Sequence, residues 1–213
     1  MPAVTISAAY GAGGSVIAVA VAQELGLPLL DRAISTTVAS RLQVSLEEAE
    51  AGGATSRTLA GRFLSLLAPL SGGVLGAGTD AAPPNALPIP VEAEAFREQA
   101  ERVMRAALPG GAVILGRAGS AALREEPNVL RVRLFGPEQA RVAQAARVEG
   151  VDIETARKRL AMVDGARRQY VKRLYHCDID DPALYHLQLD STLLPLDCCV
   201  ETIARAYRAM PQT

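Results

Sequence analysis

The sequence predicts an α/β fold in which a parallel sheet is covered by helices on both faces. Two observations carry this prediction. The chain opens with an apolar run at residues 3–6, a glycine-rich turn at residues 10–15 and a helical stretch at residues 16–25, in the order strand, turn, helix. Further apolar runs then alternate with helical segments, which is typical of doubly wound sheets that bind ligands at the carboxyl ends of their strands.

Four more segments are predicted to complete the sheet. Residues 28–31 give a short strand that closes a tight unit with the first helix. Residues 112–115 are wholly apolar, as expected for a central parallel strand covered on both faces. Residues 129–134 alternate between apolar and charged side chains, which favours a place nearer an edge. Residues 184–189 supply a fifth strand, and an amphipathic helix over residues 195–210 follows it.

Composition predicts one compact domain rather than two. The chain has 213 residues, 49% of them hydrophobic, and a formal net charge of −1, so no overall field points to a nucleic acid or a membrane as partner. No basic leader precedes an apolar run, and no apolar run reaches membrane-spanning length. Two of the three cysteines are adjacent, which resembles neither a disulfide framework nor a zinc site, so we expect reduced thiols in a cytoplasmic protein.

The glycine turn predicts a phosphate-binding loop. It brings backbone N–H groups to a helix N-terminus, where they and the helix dipole favour an anion. Ser15 stands where such loops place a hydroxyl on Mg²⁺. Against the pattern G-x-x-x-x-G-K-[ST], Ala8 replaces the first glycine and Gly14 replaces the lysine. A glycine turn that binds no ligand is the alternative interpretation.

Residues 51–90 interrupt the alternation of strands and helices. Glycine and proline are frequent there, and a helical apolar piece at residues 59–70 lies inside the segment. Loops of this length are commonly lids, binding flaps or disorder. We expect disorder over residues 72–88, and a homodimer through the apolar piece is one alternative.

Charged residues follow two of the predicted strands. Asp31 and Arg32 come at the end of the second strand, where a carboxylate can orient a substrate hydroxyl or amine and a guanidinium can bind its phosphate; a helix N-cap by Asp31 is the alternative. Arg117 follows the apolar strand at residues 112–115 and is expected to project into the ligand crevice. There it needs a phosphate or a carboxylate as partner, so a structural salt bridge is its alternative role.

A basic helical stretch covers residues 141–173. Its charged members are Arg141, Arg147, Arg157, Lys158, Arg159, Arg167, Arg168, Lys172 and Arg173. The spacing of Asp164 and Arg167 places them on one helix face. Such a set suits a lid that closes over a triphosphate, and a solvated helix face is the alternative. Because Lys158 and Lys172 are the only lysines of the chain, a phosphate at the glycine loop must meet arginine, Mg²⁺ or backbone dipoles.

Three aspartates and two histidines complete the candidates. Asp178, Asp180 and Asp181 precede Pro182, and we interpret them as a helix cap in preference to a cation site. His176 and His186 have no carboxylate at motif spacing and are expected to be structural or surface residues.

Taken together, these motifs resemble a known family. The segments that carry the likeness are Thr5-Ile6-Ser7, Tyr10-Gly11-Ala12-Gly13-Gly14, Ile17-Ala18, Leu30-Asp31-Arg32, Val113-Ile114-Leu115-Gly116-Arg117, Asp164-Gly165-Ala166-Arg167 with Tyr170, Asp180-Asp181-Pro182-Ala183-Leu184-Tyr185 and Leu189-Asp190-Ser191-Thr192-Leu193. The chain is similar to the bacterial cytidylate kinase-like family, part of the P-loop nucleoside monophosphate kinases. The likeness runs nearly end to end and leaves out residues 55–90.

The resemblance implies a single P-loop kinase-like domain, a three-layer α/β/α fold around a five-stranded parallel sheet of order 2-3-1-4-5. The core would comprise residues 1–34, 108–136 and 176–213. Residues 35–107 would form a helical insert on the acceptor side, and residues 137–175 an arginine lid.

The resemblance also implies ATP and Mg²⁺ as cofactors and transfer of the ATP γ-phosphoryl group to CMP, dCMP or a related acceptor. ATP would be bound by Gly11, Ala12, Gly13, Gly14 and Ser15, with Ser15 also on the metal. The acceptor would be bound by Asp31, Arg32, Arg117, Asp164 and Arg167. Arg117, Arg167 and Arg141 would neutralise the developing charge. The alternatives are a nucleotide-binding module without turnover and a kinase of a different small molecule.

The sequence also departs from the family pattern. Cytidylate kinases keep the loop lysine, whereas this branch often has glycine there, as at Gly14. The branch usually has arginine where this chain has Ala8 and Ser15, and cytidylate kinases have another arginine where it has Leu160. Loss of one preorganised cation typically costs a phosphoryl-transfer site about 10²- to 10³-fold in rate.

Overall fold

The predicted α/β fold is confirmed in a computed structural model, which describes residues 2–31, 91–116 and 118–211. The described residues form an all-parallel five-stranded sheet of order β2-β3-β1-β4-β5. Its strands are β1 Ala3–Ala8, β2 Leu29–Leu30, β3 Val113–Leu115, β4 Val129–Phe135 and β5 Leu187–Asp190. The strand order is therefore the one that the family resemblance implies.

The helices cover both faces of this sheet. They are α1 Gly14–Leu25, α2 Val91–Ala107, α3 Gly119–Ala122, α4 Glu138–Glu149, α5 Ile153–Tyr175 and α6 Leu196–Arg208, with 3₁₀ turns at Leu108–Gly110 and Pro182–Leu184. None of the described helices is both long and apolar enough to pass through a membrane.

Alternation along β1 and β4 gives the two sheet faces different chemistry. Val4 and Ile6 of β1 belong to an apolar cluster that also contains residues of α1 and α6. On the opposite face Thr5 and Ser7 pair in register with Arg131 and Arg133 of β4. One face of the sheet is therefore apolar here, and the other carries polar side chains between β1 and β4.

β4 is the last strand but one of the sheet, between β1 and the edge strand β5, which agrees with the prediction that it lies nearer an edge. Its arginines nevertheless have internal partners. Arg131 donates from Nε to the carbonyl oxygen of Leu184 at 2.9 Å and from Nη1 to that of Arg124 at 3.2 Å. Since these hydrogen bonds replace water, an interior strand can carry charged residues on one face.

Helices α4 and α5 form a hairpin beside the sheet. Gly150, with φ 64°, ends α4 in the left-handed region, and the Asp152 side chain accepts the Thr155 N–H at 2.8 Å to begin α5. The two helices share an apolar cluster made by Val142, Ala145, Ala146, Ala156 and Leu160. This hairpin occupies the stretch that the sequence predicts as a lid.

Candidate active site

The glycine loop after β1 presents free backbone donors. Gly11 and Gly13 have φ 77° and 69°, in the region that glycine adopts without strain, and α1 begins directly after them. Within the loop the Ala12 N–H donates to the Ala9 carbonyl at 3.1 Å. Among the described residues no acceptor meets the N–H groups of Gly11, Gly13, Gly14 and Ser15. Consecutive free amides at a helix N-terminus fit an anion such as a phosphate.

The loop is packed too closely at Gly14 for a side chain. A Cβ built on Gly14 would overlap the Cβ of Ala8. The two residues at which the loop departs from the phosphate-loop pattern are therefore in contact: the methyl group of Ala8 fills the space where a side chain at position 14 would begin. From the other side, Ser191 Oγ donates to the Ala12 carbonyl at 2.7 Å.

The α4–α5 hairpin packs directly on this loop. A Cβ at Gly11 would overlap the Arg141 carbonyl oxygen and lie 2.9 Å from the carbonyl carbon. Tyr10 packs against the apolar cluster of the hairpin, which includes Leu160. Leu160 stands where the family pattern has an arginine, and here it contributes to the cluster that receives Tyr10.

The surroundings of Tyr10 also change its acidity. Burial raises the pKa of Tyr10 to about 12, the carboxylate of Glu149 adds to the shift, and Arg159 opposes it. Arg159 and Glu149 pair with each other across the hairpin. Tyr10 therefore joins the loop to the hairpin as a neutral side chain.

Arg141 and Asp164 tie the loop to the hairpin with polar contacts. Arg141 Nη1 donates to Asp164 Oδ2 at 2.7 Å and to the Tyr10 carbonyl at 2.8 Å, and its Nε donates to the Gly136 carbonyl at 2.9 Å. Asp164 Oδ1 accepts the Tyr10 N–H at 2.9 Å. Both side chains are nearly buried, at 12% and 10% exposure. Such a pair is specific in geometry, and loss of either partner would leave a buried charge alone.

Arg167 lies one turn after Asp164 on α5 and also contacts the loop. Its Nη1 donates to the Ala8 carbonyl at 2.8 Å, whereas its distance to Asp164 Oδ1 is 3.7 Å. Burial lowers the pKa of Arg167, and the charge of Asp164 opposes that shift. The guanidinium groups of Arg133 and Arg141 lower it further. Arg167 thus lies in a locally positive environment beside the loop.

A cavity of about 220 Å³ opens between the loop, β4 and the hairpin. Its charged lining within the described part of the chain consists of Arg133, Arg141, Arg167, Arg168, Asp164 and Asp180. Ala9 contributes the wall on the loop side. The four guanidinium groups outnumber the two carboxylates, so the cavity favours anions.

Arg133 is the most enclosed of these arginines. Its side chain is 9% exposed. Nη1 donates to Ser7 Oγ at 2.9 Å, and Nη2 donates to Asp180 Oδ1 at 2.6 Å. The guanidinium carbon lies 5.9 Å from the centroid of the Tyr185 ring, within cation–π range.

The structure brings together only some of the residues predicted from sequence. Gly11, Arg141, Asp164 and Arg167 meet around the start of the loop, whereas Gly13 lies beside Leu196 and Gln144. The predicted spacing of Asp164 and Arg167 on one face of α5 is confirmed by their ion pair. Ala12 and Gly14 are buried within the loop, and Ser15 is exposed on the first turn of α1. Asp31 is half-buried directly after β2.

Several predictions fall outside the described residues. They concern Arg32, Arg117, most of the predicted insert at residues 35–107, the disorder at residues 72–88 and the apolar piece at residues 59–70.

The remaining candidates have structural contacts. Asp181 caps the 3₁₀ turn at Pro182–Leu184, as predicted, by accepting the Ala183 N–H at 2.9 Å. His186 Nδ1 accepts the Arg131 N–H at 3.2 Å, and burial lowers the pKa of this imidazole. All three cysteines are free thiols. No group of three or more His, Cys, Asp or Glu side chains in the described ranges is arranged to hold a metal ion.

Sequence reasoning missed Arg133, Ser7 and Asp180 as parts of the site. One signal was available: an arginine within the last three residues of a strand in a doubly wound sheet lies close to the ligand edge. Its partners, at sequence separations of 126 and 47 residues, could not be read from the chain.

Comparison with known proteins points to one family. The profile described as "Cytidylate kinase-like family" matches residues 3–193. A search of curated proteins finds no sequence match to the chain.

Two solved structures share the fold. An uncharacterized protein from Eubacterium ventriosum has 14% sequence identity and a TM-score of 0.63, with 98% of this chain and 99% of that chain covered. A gluconokinase from Sinorhizobium meliloti has 13% identity and a TM-score of 0.50, with coverages of 97% and 91%.

Proposed function

This chain belongs to the cytidylate kinase-like family, and from that premise we propose that it is an ATP-dependent phosphotransferase. Its reaction moves the γ-phosphoryl group of ATP to a nucleoside monophosphate, with CMP and dCMP as the first acceptors to try. The observation that carries the proposal is the set of free amides in the glycine loop beside an arginine-rich cavity. Fixed dipoles and guanidinium groups stabilise the charge that develops in phosphoryl transfer.

In this proposal the loop holds the donor. The N–H groups of Gly11, Gly13, Gly14 and Ser15 bind donor phosphates, and the exposed hydroxyl of Ser15 is a ligand for Mg²⁺. When bound, Mg²⁺ neutralises part of the negative charge of the phosphates. The acceptor lies toward Asp31, Arg32, Arg117, Asp164 and Arg167, with residues 35–107 as the acceptor-side insert.

The α4–α5 hairpin acts as the arginine lid of this proposal, over residues 137–175. Arg141, Arg167 and Arg117 take over the charge neutralisation that a loop lysine performs elsewhere. Arg167 is suited to this role because its guanidinium already lies on the Ala8 carbonyl, beside the residue that fills the lysine position. A protein of this kind works as a cytoplasmic enzyme on small-molecule substrates, without a nucleic acid or a membrane.

The proposal is tested by incubating the full chain with Mg-ATP and each common nucleoside monophosphate and measuring ADP and the acceptor diphosphate. Turnover with CMP or dCMP is the expected result. Arg167→Gln should lower kcat/KM by about 10²- to 10³-fold. The matched control is Arg157→Gln on the same helix, whose side chain pairs with exposed Glu154. No diphosphate from any monophosphate would overturn the proposal.

A nucleotide-binding module without turnover is the second candidate function. The observation that favours it is the close contact of Gly14 with Ala8, which excludes a loop lysine. Thermal shifts with ATP and with CMP, measured separately, distinguish the two. Stabilisation by both ligands supports a kinase, whereas stabilisation by ATP alone supports the module. A screen of non-nucleotide acceptors covers the remaining alternative, a kinase of another small molecule.

A further inference from the structure

The charges around the cavity are not fully compensated by the protein itself. Asp164 is engaged by Arg141 and by the Tyr10 N–H, so it compensates Arg167 only at 3.7 Å. The other carboxylate of the lining, Asp180, is shared between Arg133 and Arg168. Four guanidinium groups against two carboxylates leave an excess of two positive charges in the described lining. A ligand with two negative charges would balance it.

Asp180 is held in this cavity much less firmly than Arg133. Its side chain is 54% exposed, and it lies in the connection between α5 and β5. Besides its contact of 2.6 Å with Arg133, it approaches Arg168 Nε only at 4.0 Å. Because Asp180 is more than half exposed, water can solvate its carboxylate when it leaves the cavity. The cost of separating the pair therefore falls mainly on Arg133.

Arg133, in contrast, is fixed at the site. It projects from an interior strand, Ser7 Oγ accepts from its Nη1, and the ring of Tyr185 lies beside its guanidinium. If Asp180 moves away, Nη2 loses its acceptor, whereas the contacts of the guanidinium with Ser7 and Tyr185 do not depend on Asp180. A buried guanidinium without an acceptor is unfavourable, so another anion would be drawn to the same position.

We infer that Arg133 is a phosphate-binding residue and that the carboxylate of Asp180 occupies the position of the ligand's phosphate group. The ligand is a phosphate monoester dianion, held by Arg133, Arg167 and Arg168. On the proposed function, on which this assignment rests, the dianion is the phosphate of the acceptor. Asp180 is then a charge competitor that substrate binding displaces.

Asp180 and Arg133 carry opposite charges, so their substitutions should shift the phosphate affinity in opposite directions. Asp180→Asn removes the competing charge, so inorganic phosphate should bind about threefold more tightly. Arg133→Gln removes a charged donor, so it should weaken binding about tenfold to hundredfold. Arg131→Gln is the matched control, because Arg131 lies on the same strand and face but does not line the cavity. It should leave phosphate affinity unchanged.

The measurement is isothermal titration of the full chain with inorganic phosphate well above neutral pH, where both inorganic phosphate and phosphate monoesters are dianions. Acetate at the same ionic strength reports binding of a single charge and should bind more weakly in every variant. Arg133→Lys keeps the charge and should fall between wild type and Arg133→Gln. A gain in affinity for Asp180→Asn cannot come from misfolding, so the assignment stays testable even if Arg133→Gln is unstable.

The outcomes separate this inference from the proposed function. Unchanged phosphate affinity in both Asp180→Asn and Arg133→Gln overturns the inference, even if wild type makes CDP from CMP. Opposite shifts in the two variants support it, even if no nucleoside monophosphate is phosphorylated. Tighter binding of acetate than phosphate would show that the cavity prefers a carboxylate, and that also overturns the assignment.

Discussion

The carboxyl ends of β1 and β4 are neighbours in the sheet, yet they offer different chemistry to an anion. The end of β1 offers the backbone N–H groups of Gly11, Gly13, Gly14 and Ser15, which are dipoles without net charge. The end of β4 offers full charges, with Arg133 in the strand and Arg141 in the helix that follows. Backbone dipoles are positioned by φ and ψ, whereas guanidinium groups are positioned by side-chain packing.

On the proposed function, this difference is how a phosphate site is built without a loop lysine. At β1 the contact between Ala8 and Gly14 leaves no room for a side chain at the lysine position. Positive charge is supplied instead by β4 and the hairpin, and Arg167 of the hairpin donates a hydrogen bond to the Ala8 carbonyl. The charge lost from one strand end is thus supplied by elements beyond it in the sequence.

The largest effect on the free energy of unfolding is expected from Gly11→Ala, which disrupts the contact between the end of β1 and the hairpin. The added Cβ would overlap the Arg141 carbonyl and adopt an unfavourable φ of 77°. We expect the free energy of unfolding to fall by about 3 kcal/mol or more, because the backbone on both sides must move. Urea denaturation followed by circular dichroism measures it.

Gly26→Ala is the control for this substitution. Gly26 has φ 64°, and nothing lies within 4 Å of the built Cβ, so only the backbone strain remains, at about 1–2 kcal/mol. Equal losses in the free energy of unfolding would mean that the hairpin does not contact the loop at Gly11. The carboxyl ends of β1 and β4 would then be independent of each other.

Much of the structure at the end of β1 could be predicted from the sequence, because it depends on local patterns. The strand–glycine–helix order of residues 3–25 and the apolar strand at residues 112–115 needed only short-range rules. The i, i+3 spacing predicted the Asp164–Arg167 pair for the same reason. The glycine loop was recognised, but the reason for Gly11, a carbonyl at residue 141, was not visible in the chain.

The role of β4 could not be predicted, because its polar face is compensated by distant residues. Alternating charges in a strand usually indicate solvent, and that rule gave the place of β4 nearer an edge but not the internal partners of its arginines. Arg131 instead donates to Leu184 and Arg133 to Ser7 and Asp180. Side-chain pairing across elements is a property of the packed structure, and single-sequence patterns do not encode it.

A smaller effect is expected when the loop lysine is restored, which tests whether the β1 end can again carry charge. Gly14→Lys alone should lower the free energy of unfolding by about 1–3 kcal/mol, because its Cβ overlaps that of Ala8. The double variant Ala8→Gly/Gly14→Lys removes the obstructing methyl group. It should recover most of that loss, with a coupling of about 1–2 kcal/mol between the positions.

Urea unfolding of both single variants and the double variant gives this coupling, and calorimetric titration with ATP shows whether the new ammonium reaches the donor phosphates. Tighter ATP binding in the double variant is expected, because the loop would then combine dipoles with a full charge. Additive losses in stability would contradict the direct contact between Ala8 and Gly14.

The smallest effect concerns Tyr10, the side chain that joins the β1 end to the hairpin after β4. Its pKa is raised from 10.0 to about 12 in the folded protein, by burial first and by Glu149 second. Between these values the unfolded chain has lost the phenolic proton while the folded chain keeps it. The folded state therefore binds more protons, and stability falls as pH rises from 10 to 12.

Tyr10→Phe should remove this part of the pH dependence and leave stability near neutral pH little changed, since the ring still fills the hairpin cluster. Denaturation of both proteins at a series of alkaline pH values measures the difference, and contributions of the other tyrosines cancel between them. An identical decline in the two proteins would place Tyr10 in solvent. The β1 end would then lack its apolar connection to the hairpin, and only the polar contacts of Arg141 and Asp164 would hold the two regions together.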